Sequence, residues 1–176
     1  MQVTPKAGWK GRFFEDFEVG DLYRHPLGRT LSEADNTWFT LLTMNTNEMH
    51  FNAQHAAQSE FGEPLMVSTL TLAVVVGQSV VDLTQNAFAN LGWDDIKLTK
   101  PVFAGDTLYA ESIVLEKRES SSRPHAGIVT VKTRGLNQQG EEVLSFRRTF
   151  YVYRVDAEQT AGSFPEPVVP FTMPEA

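Results

Sequence analysis

The residues best suited to chemistry lie in one short polar stretch, Asn45-Thr46-Asn47-Glu48-Met49-His50. The imidazole of His50 can serve as a general acid and base. The amide of Asn45 can orient a water molecule through its carbonyl oxygen, but it cannot accept a proton at physiological pH. Glu48 supplies the one carboxylate of the stretch. These groups fit general acid-base chemistry.

The spacing of Asn45 and His50 constrains the backbone that carries them. On a helix five residues turn about 500°, which leaves the two side chains roughly 140° apart. On a strand an odd spacing puts them on opposite faces. Both reach one substrate only if the segment is irregular, and it does lie between two helical patterns. The alternative is that His50 is a capping or core histidine and Asn45 an ordinary turn residue.

Other chemistries lack the residues they need. The chain has four histidines and no cysteine, and the spacing of the histidines matches no zinc-binding pattern, so we expect no metal. No nucleophile elbow accompanies a Ser-His-Asp set, and the glycines form no phosphate loop. We therefore expect no metal, nucleotide or redox cofactor.

Length and charge narrow the class of protein. The 176 residues suffice for one domain, and 15 basic against 22 acidic residues give a net charge of −7, which disfavours nucleic acid as a partner. Residues 1–9 contain no apolar stretch of signal-peptide length, and no segment approaches the roughly 18 apolar residues of a membrane span, so we expect a soluble, cytoplasmic protein without a membrane partner. The Pro-rich, acidic residues 156–176 differ from the rest, and we divide the chain into a domain over 1–155 and a C-terminal arm over 156–176.

The elements around the polar stretch follow from capping and periodicity. Leu22 and Tyr23 form a short strand, and Ser32 with Asp35 three residues later predicts a capped helix start. The apolar residues that follow are interpreted as the buried side of that helix: Trp38, Phe39, Leu41 and Leu42. A second short helical pattern covers residues 53–59.

The second half of the chain predicts one long helix and a sheet. The apolar segment from Val67 to about Phe88 is too long for a typical strand and can be capped at Ser68 or Thr69, so we interpret it as a long, mostly buried helix. Strands are predicted over 97–102, 107–116, 127–135 and 143–155, with a hairpin at 137–140. The economical packing is an α+β hot-dog fold, a curved antiparallel sheet wrapped around the long central helix.

With these elements the chain resembles the MaoC-like dehydratases, or (R)-specific enoyl-CoA hydratases. Their signature is Gly-Asp-x-Asn-Pro-x-His, and here Asn45 stands at the Asp, Asn47 at the Asn, Glu48 at the Pro and His50 at the His. Three further stretches carry the resemblance: 14–21, 30–35 and 100–108. The Asn-containing pattern is similar to the branch that includes mesaconyl-CoA hydratases, or β-methylmalyl-CoA dehydratases, which act on short branched or dicarboxylic acyl-CoAs.

The resemblance implies a mechanism and assigns roles. In the family the Asp and His share activation of water, and a backbone N–H at the start of the central helix holds the thioester oxygen. By position that donor is Ser68, and Thr69 and Asn47 are the neighbouring substrate-binding residues. The alternative is that Ser68 only caps the N-terminus of the helix. Because Asn45 replaces the Asp, either His50 acts alone while Asn45 positions water, or Glu48 supplies the carboxylate. We favour the first, since a residue at the Pro position need not point inward.

The expected substrate sets the remaining requirements. Coenzyme A is polyanionic whereas the chain is acidic, so binding needs a local basic cluster, for which Lys97, Lys100 and Arg123 are the candidates. Arg148 interrupts the apolar face of the last strand and is a further candidate for a buried role near ligand or interface. Hot-dog proteins usually pair their sheets, which implies a homodimer or dimer of dimers. The alternatives are an acyl-CoA thioesterase, or an acyl-CoA-binding protein that lost activity with the Asp.

Overall fold

The computed structural model describes residues 3–160, 162 and 164–174. Within them the α-helices are α1 (Glu33–Thr43), α2 (Ala53–Ala56) and α3 (Ser68–Gln78). The strands are β1 (Leu22–Arg24), β2 (Arg29–Thr30), β3 (Ala87–Leu98), β4 (Thr107–Glu119), β5 (Ala126–Leu136) and β6 (Glu142–Tyr153). A π-helical turn, Val80–Thr84, follows α3, and 3-10 turns cover Phe14–Asp16, Glu48–His50 and Glu158–Thr160.

The strands form an antiparallel sheet in the order β1-β4-β5-β6-β3, with β2 also paired to β4. The hairpin predicted at 137–140 connects β5 and β6, where the Gly140 N–H donates to the Asn137 carbonyl at 3.0 Å. Gly140 has φ of +80°, a conformation that a glycine adopts without the steric cost of a Cβ. The predicted α+β class, with an antiparallel sheet around a central helix, is confirmed.

Helix α3 lies against the sheet and forms the centre of the core. Its Leu70 and Val75 pack with Leu108, Leu144 and Phe146 of the strands. The approach is close, because a Cβ at Gly135 of β5 would lie 2.7 Å from a Val75 methyl group. A second cluster covers the other end of the sheet, where side chains of the N-terminal segment and the π-helical turn meet β4 to β6: Phe14, Phe17, Leu83, Val114, Val129 and Phe150.

The long predicted helix is shorter than expected, and the strand after it is longer. The α-helical part ends at Gln78, the π-helical turn ends at Thr84, and Phe88 lies in β3. The expectation that the first long strand begins at Lys97 is wrong, because β3 already begins at Ala87. Strand β3 lies at the sheet edge, and three register shifts against β6 break the alternation that would have revealed it. The three later strands match their predicted positions to within three residues.

Helix α1 has the predicted capping box but not the predicted inner face. The Ser32 hydroxyl accepts from the Asp35 N–H and the Asp35 carboxylate accepts from the Ser32 N–H. The buried residues of the helix are polar, Asn36 and Thr40, and Phe39 is half-buried. The interpretation of the other apolar residues as buried is wrong: Trp38, Leu41 and Leu42 are 66%, 69% and 79% exposed. The inner side of α1 makes hydrogen bonds to loops, and the described chain leaves its apolar side uncovered.

Part of α3 is also open, which corrects the expectation of a mostly buried helix. Ala73 and Gly77 are exposed and, with Val74, line a cavity of about 700 Å³ beside Leu27 and Phe39. Beyond Tyr153 the arm is exposed at Phe164, Val168, Val169 and Phe171. The division at residue 155 stays a prediction. No helix in the described ranges is long and apolar enough to cross a bilayer.

Candidate active site

The segment between α1 and α2 is irregular, as the spacing of its polar residues requires. Helix α1 stops at Met44, which adopts the left-handed conformation with φ of 54°. The Asn45 carbonyl oxygen of the side chain then accepts from the Asn47 N–H at 3.1 Å, and the Asn47 side-chain oxygen accepts from the Met49 N–H at 3.1 Å. Two successive Asx turns therefore lead into the 3-10 turn that carries His50.

The ring of His50 is held in one orientation by the backbone. Its Nδ1 atom lies 2.8 Å from the carbonyl oxygen of Leu65, and the side chain is half-buried. Because a carbonyl oxygen only accepts hydrogen bonds, Nδ1 carries the proton. In the neutral ring Nε2 then holds the lone pair, and it is the atom that can take a proton from water.

Asn45 and Asn47 both use their side-chain oxygens within the turn. The half-buried Asn45 keeps a second lone pair on that oxygen and its NH₂ group for another partner, so it can hold a water but not deprotonate it. Asn47 is exposed and caps the 3-10 turn. The side-chain oxygen of Asn47 makes a turn-forming contact, and its role in binding a substrate stays a prediction.

The carboxylate of Glu48 is directed toward α2. Its Oε1 accepts from the Asn52 side-chain amide at 2.8 Å, and its Oε2 lies 3.9 Å from His55 Nδ1. Asn52 is the N-cap of α2, so Glu48 supports a helix start. These contacts favour His50 alone as the base over the alternative in which Glu48 replaces the missing Asp.

Ser68 is the first residue of α3 and not its cap. The N-cap is Val67, which offers no side-chain hydrogen bond, so the alternative of Ser68 as a plain N-cap is wrong by one residue. The N–H groups of a first helical turn have no acceptor within the helix, and the helix dipole favours negative charge there. Ser68 and Thr69 are both exposed, and Ser68 lines a cavity of about 270 Å³ beside Leu65 and Lys100.

Two cavities of the single chain are lined by residues adjacent to His50. Leu65, which accepts its hydrogen bond, lines the cavity at Ser68, while the next residue, Phe51, lines a cavity of about 500 Å³ together with Asn45. The hydrogen bond to Leu65 ties the His50 ring to the segment that leads into α3. Asn45 and Ser68 line different cavities of the single chain.

One residue of this region was missed by sequence reasoning. Asn36 of α1 is 2% exposed, and its amide contacts the backbone of His50, Leu65 and Val67. A signal for it existed in the spacing of Asn36 and Thr40, which share a helix face four residues apart. The apolar residues on the opposite face led instead to the prediction that the opposite face is the buried one.

The candidate basic residues do not form one cluster. Lys100 lines the Ser68 cavity and bonds the Glu141 carboxylate at 2.6 Å, which lowers the pKa of Glu141. Lys97 is exposed on β3 near the same end of the sheet. Arg123 precedes β5 at the opposite end, and the eleven residues of that strand span about 33 Å. Its guanidinium bonds the Tyr151 hydroxyl at 3.0 Å instead.

Two other polar groups lie inside the fold and away from this cavity. Arg148 is 1% exposed and donates to the Ser79 hydroxyl at 3.0 Å, beyond the C-terminal end of α3 and so away from the Ser68 cavity. His25 lies 2.9 Å from Asp82 through Nδ1 and 2.9 Å from the Ser112 hydroxyl through Nε2. Among the described residues, no group of three or more His, Asp or Glu is arranged to hold a metal ion.

Comparison with known proteins assigns the chain to a family. A family model described as mesaconyl-CoA hydratase matches residues 5–167. The chain belongs to the mesaconyl-CoA hydratase family. Among curated relatives in this family, the mesaconyl-CoA hydratase of Cereibacter sphaeroides is 38% identical over 160 residues, which are 91% of this chain and 46% of that protein. The chain thus spans about half the length of the curated relatives it matches.

Solved structures agree with the family assignment and with the fold. A MaoC domain protein from Chloroflexus aurantiacus is 31% identical with a TM-score of 0.81, over 95% of this chain and 46% of that one. A Mycobacterium tuberculosis protein described as a double hot-dog fold has 22% identity and a TM-score of 0.76, over 92% and 53% of the two chains. These structures confirm two predictions for this member of the mesaconyl-CoA hydratase family. The chain resembles MaoC-like proteins, and it has a hot-dog fold.

Proposed function

We propose that the chain is a hydro-lyase that reversibly adds water to a short 2-enoyl-CoA, branched or dicarboxylic, as in mesaconyl-CoA. The observation that carries the proposal is the hydrogen bond from His50 Nδ1 to the Leu65 carbonyl. It leaves Nε2 free to act as a base, and it ties the ring to Leu65, three residues before the N-terminus of α3, where a developing negative charge is stabilised. The names of the curated relatives support the choice of substrate.

Each step has a group in the structure. His50 Nε2 takes a proton from water while the water oxygen bonds to C3, and the electron pair of the C2–C3 double bond moves toward the thioester oxygen. The backbone N–H of Ser68 holds that oxygen as an enolate, with Thr69 next to it in the first turn. The imidazolium then returns its proton to C2, which leaves the histidine neutral. Asn45 orients the water through its amide.

A single histidine in both roles has a stereochemical consequence. The proton and the hydroxyl group are delivered from one ring, so both add to the same face of the double bond. Hydration of mesaconyl-CoA in D₂O should therefore give the product of syn addition, in which the deuterium at C2 and the hydroxyl at C3 have entered from the same face. NMR of the product measures it.

The reaction class is tested by following two signals together. Purified protein is incubated with crotonyl-CoA and with mesaconyl-CoA, and the enoyl absorbance and free thiol are recorded in parallel. Loss of the enoyl band without thiol supports hydration. Release of thiol would instead identify a thioesterase, and binding with neither change a non-catalytic acyl-CoA-binding protein. In a hydratase His50→Ala should abolish turnover, and full activity of that variant would remove His50 from the site.

Binding of coenzyme A is proposed at the Ser68 end of the sheet, where Lys97 and Lys100 lie. Lys100→Ala should raise KM for the CoA thioester with little change in kcat, because its positive charge contacts the carrier and not the reacting atoms. Arg123 is too distant in the same chain to take part. Its place in the proposal depends on a second subunit.

We also propose a homodimer, or a dimer of dimers, in which the second subunit is another copy of this chain. Three uncovered apolar regions support it: the open side of α3, the outer side of α1 at Trp38, and the edge strand β3 with Leu91 and Trp93 exposed. The double length of the matched relatives leaves room for a second unit of similar size. Sedimentation equilibrium should give a mass of twice 19.7 kDa or a multiple of it. A monomer at micromolar concentration would contradict the assembly.

The proposal includes a cytoplasmic location and the division of the chain at residue 155. An enzyme of CoA thioesters works where those thioesters are made, and a chain without cysteine needs no oxidising compartment. Deleting residues 156–176 should leave the melting temperature of the domain nearly unchanged, since the large apolar side chains described in the arm are exposed and the one buried apolar residue, Ala157, is small.

A further inference from the structure

The buried amide of Asn36 joins three separate stretches of backbone. Its NH₂ group donates to the carbonyl oxygens of His50, at 2.6 Å, and Leu65, at 3.0 Å. Its side-chain oxygen accepts from the N–H of Val67 at 2.9 Å. Asn36 is 2% exposed, so water does not compete for these bonds. One side chain thus connects α1, the histidine segment and the residue before α3.

The three hydrogen bonds at this position require a side chain that both donates and accepts, as an amide does. Two of the three partners are carbonyl oxygens, which need donors, and the third is an N–H, which needs an acceptor. An aspartate would direct a second acceptor at the two carbonyls and leave them unpaired in a buried place. A serine is too short to span both. Asparagine is also a poor residue for a helix interior, so its presence here is not explained by helix formation.

The Leu65 carbonyl links Asn36 to the proposed base. That oxygen accepts from both Asn36 Nδ2, at 3.0 Å, and His50 Nδ1, at 2.8 Å. Asn36 therefore fixes the acceptor that selects the tautomer of His50, and it also holds the backbone carbonyl of His50 itself. On the other side it anchors Val67, whose successor Ser68 begins α3. Asn36 thus ties the segment of the base to the segment that enters α3, alongside a backbone hydrogen bond from the Leu65 N–H to the Met49 carbonyl at 3.3 Å.

We propose that Asn36 is the positioning residue that holds His50 Nε2 and the N-terminus of α3 at the separation the reaction needs. This inference rests on the proposed function of the same site. Asn36 does not touch the substrate; it acts through His50 and Val67. A displacement of about 1 Å in a catalytic group can cost roughly 10²-fold in rate, and we expect a loss of that size in kcat when Asn36 is replaced.

The experiment compares two variants with a matched control. Asn36→Asp reverses the hydrogen-bonding character at constant size, and Asn36→Ser is a milder change that keeps the protein folded if the first does not. The control is Asn86→Asp, because the Asn86 amide also donates to two backbone carbonyls, of Lys10 at 2.9 Å and Arg12 at 3.1 Å. Asn86 precedes β3 at the end of the sheet opposite the cavity. The control thus loses the same kind of contact without touching the site.

Two readouts separate positioning from general destabilisation. Below the melting temperature of every variant, kcat on mesaconyl-CoA should fall about 10²-fold for the Asn36 variants, with KM changed less than about threefold, and stay near wild type for Asn86→Asp. Long-range ¹H–¹⁵N NMR of the His50 ring, assigned with His50→Ala, should show the Nδ1–H tautomer in wild type. The same spectrum should show a mixture of tautomers in the Asn36 variants.

Each possible outcome either supports or overturns the proposed role of Asn36. The proposal is overturned if the His50 tautomer is unchanged, or if the kcat loss does not exceed that of Asn86→Asp. It is also overturned if the tautomer changes while kcat does not. A wild-type protein without hydratase activity, or an active His50→Ala variant, would refute the proposed function instead. The tautomer measurement still tests the hold of Asn36 on His50 in that case.

Discussion

Replacing Ser68 with proline should remove the proposed oxyanion donor and leave the fold almost unchanged. Ser68 is the first residue of α3, a position that proline favours because its missing N–H has no acceptor in the helix. The residue before a proline must be extended, and Val67 already has φ of −60° and ψ of 127°. The substitution thus deletes one donor where the backbone is prepared for it.

The expected magnitudes differ for stability and activity. No hydrogen bond inside the helix is lost, so the free energy of unfolding should change by less than about 1 kcal/mol. Loss of one oxyanion-hole donor typically costs about 10² to 10³ in kcat, equivalent to roughly 3–4 kcal/mol. The proline ring also occupies the space into which the N–H pointed, so some increase in KM is expected. The matched control, Ser68→Ala, keeps the N–H and should keep kcat within about threefold.

The assay is the steady-state hydration of mesaconyl-CoA by the three proteins, together with thermal unfolding to verify that each is folded. A Ser68→Pro variant that is folded and retains kcat within threefold of wild type would show that this N–H does not hold the enolate oxygen. If Ser68→Ala loses as much activity as Ser68→Pro, the hydroxyl group and not the backbone is responsible. Either result would refute the assignment of the α3 N-terminus.

Three further predictions concern residues away from the reacting atoms. Glu48→Gln should change kcat less than about threefold, because its carboxylate contacts Asn52; a loss of about 10²-fold in the hydration assay would make Glu48 the base. Burial lowers the pKa of His25 below 6.5, so the unfolded chain binds the proton more readily. As pH falls below about 6.5 toward that lowered pKa, the free energy of unfolding should fall by up to about 1.4 kcal/mol per pH unit, and urea titrations of His25→Gln should lack this part of the slope. Burial also lowers the pKa of Arg148 to about 10, so its charge opposes folding below that pH, and Arg148→Met should raise the denaturation midpoint; a lower midpoint would contradict this.

Local signals were sufficient to predict much of the fold. The capping box of Ser32 and Asp35, the turn at Gly140 and the alternation in the last strand each depend on residues a few positions apart, and each is present. The need for an irregular segment around His50 followed from the spacing to Asn45. These features are encoded within a single element, where propensity and periodicity act directly.

Other features depend on contacts between distant parts of the chain. Asn36 bonds residues 14, 29 and 31 positions away, and no local pattern specifies those partners. The tautomer of His50 likewise depends on a carbonyl 15 residues later. The first part of β3, before Lys97, was missed because an edge strand is paired on one side only and need not alternate between apolar and polar residues.

The error over α1 has a physical explanation that concerns the whole site. Apolar periodicity identifies the side of a helix that is removed from water, but it does not identify what removes it. In α1 the side toward the body is held by hydrogen bonds of Asn36, while Trp38 and Leu41 face outward beside the cavity that Asn45 lines. Both sides are then accounted for if the inner one sets the geometry of His50 and the outer one is covered by a second subunit.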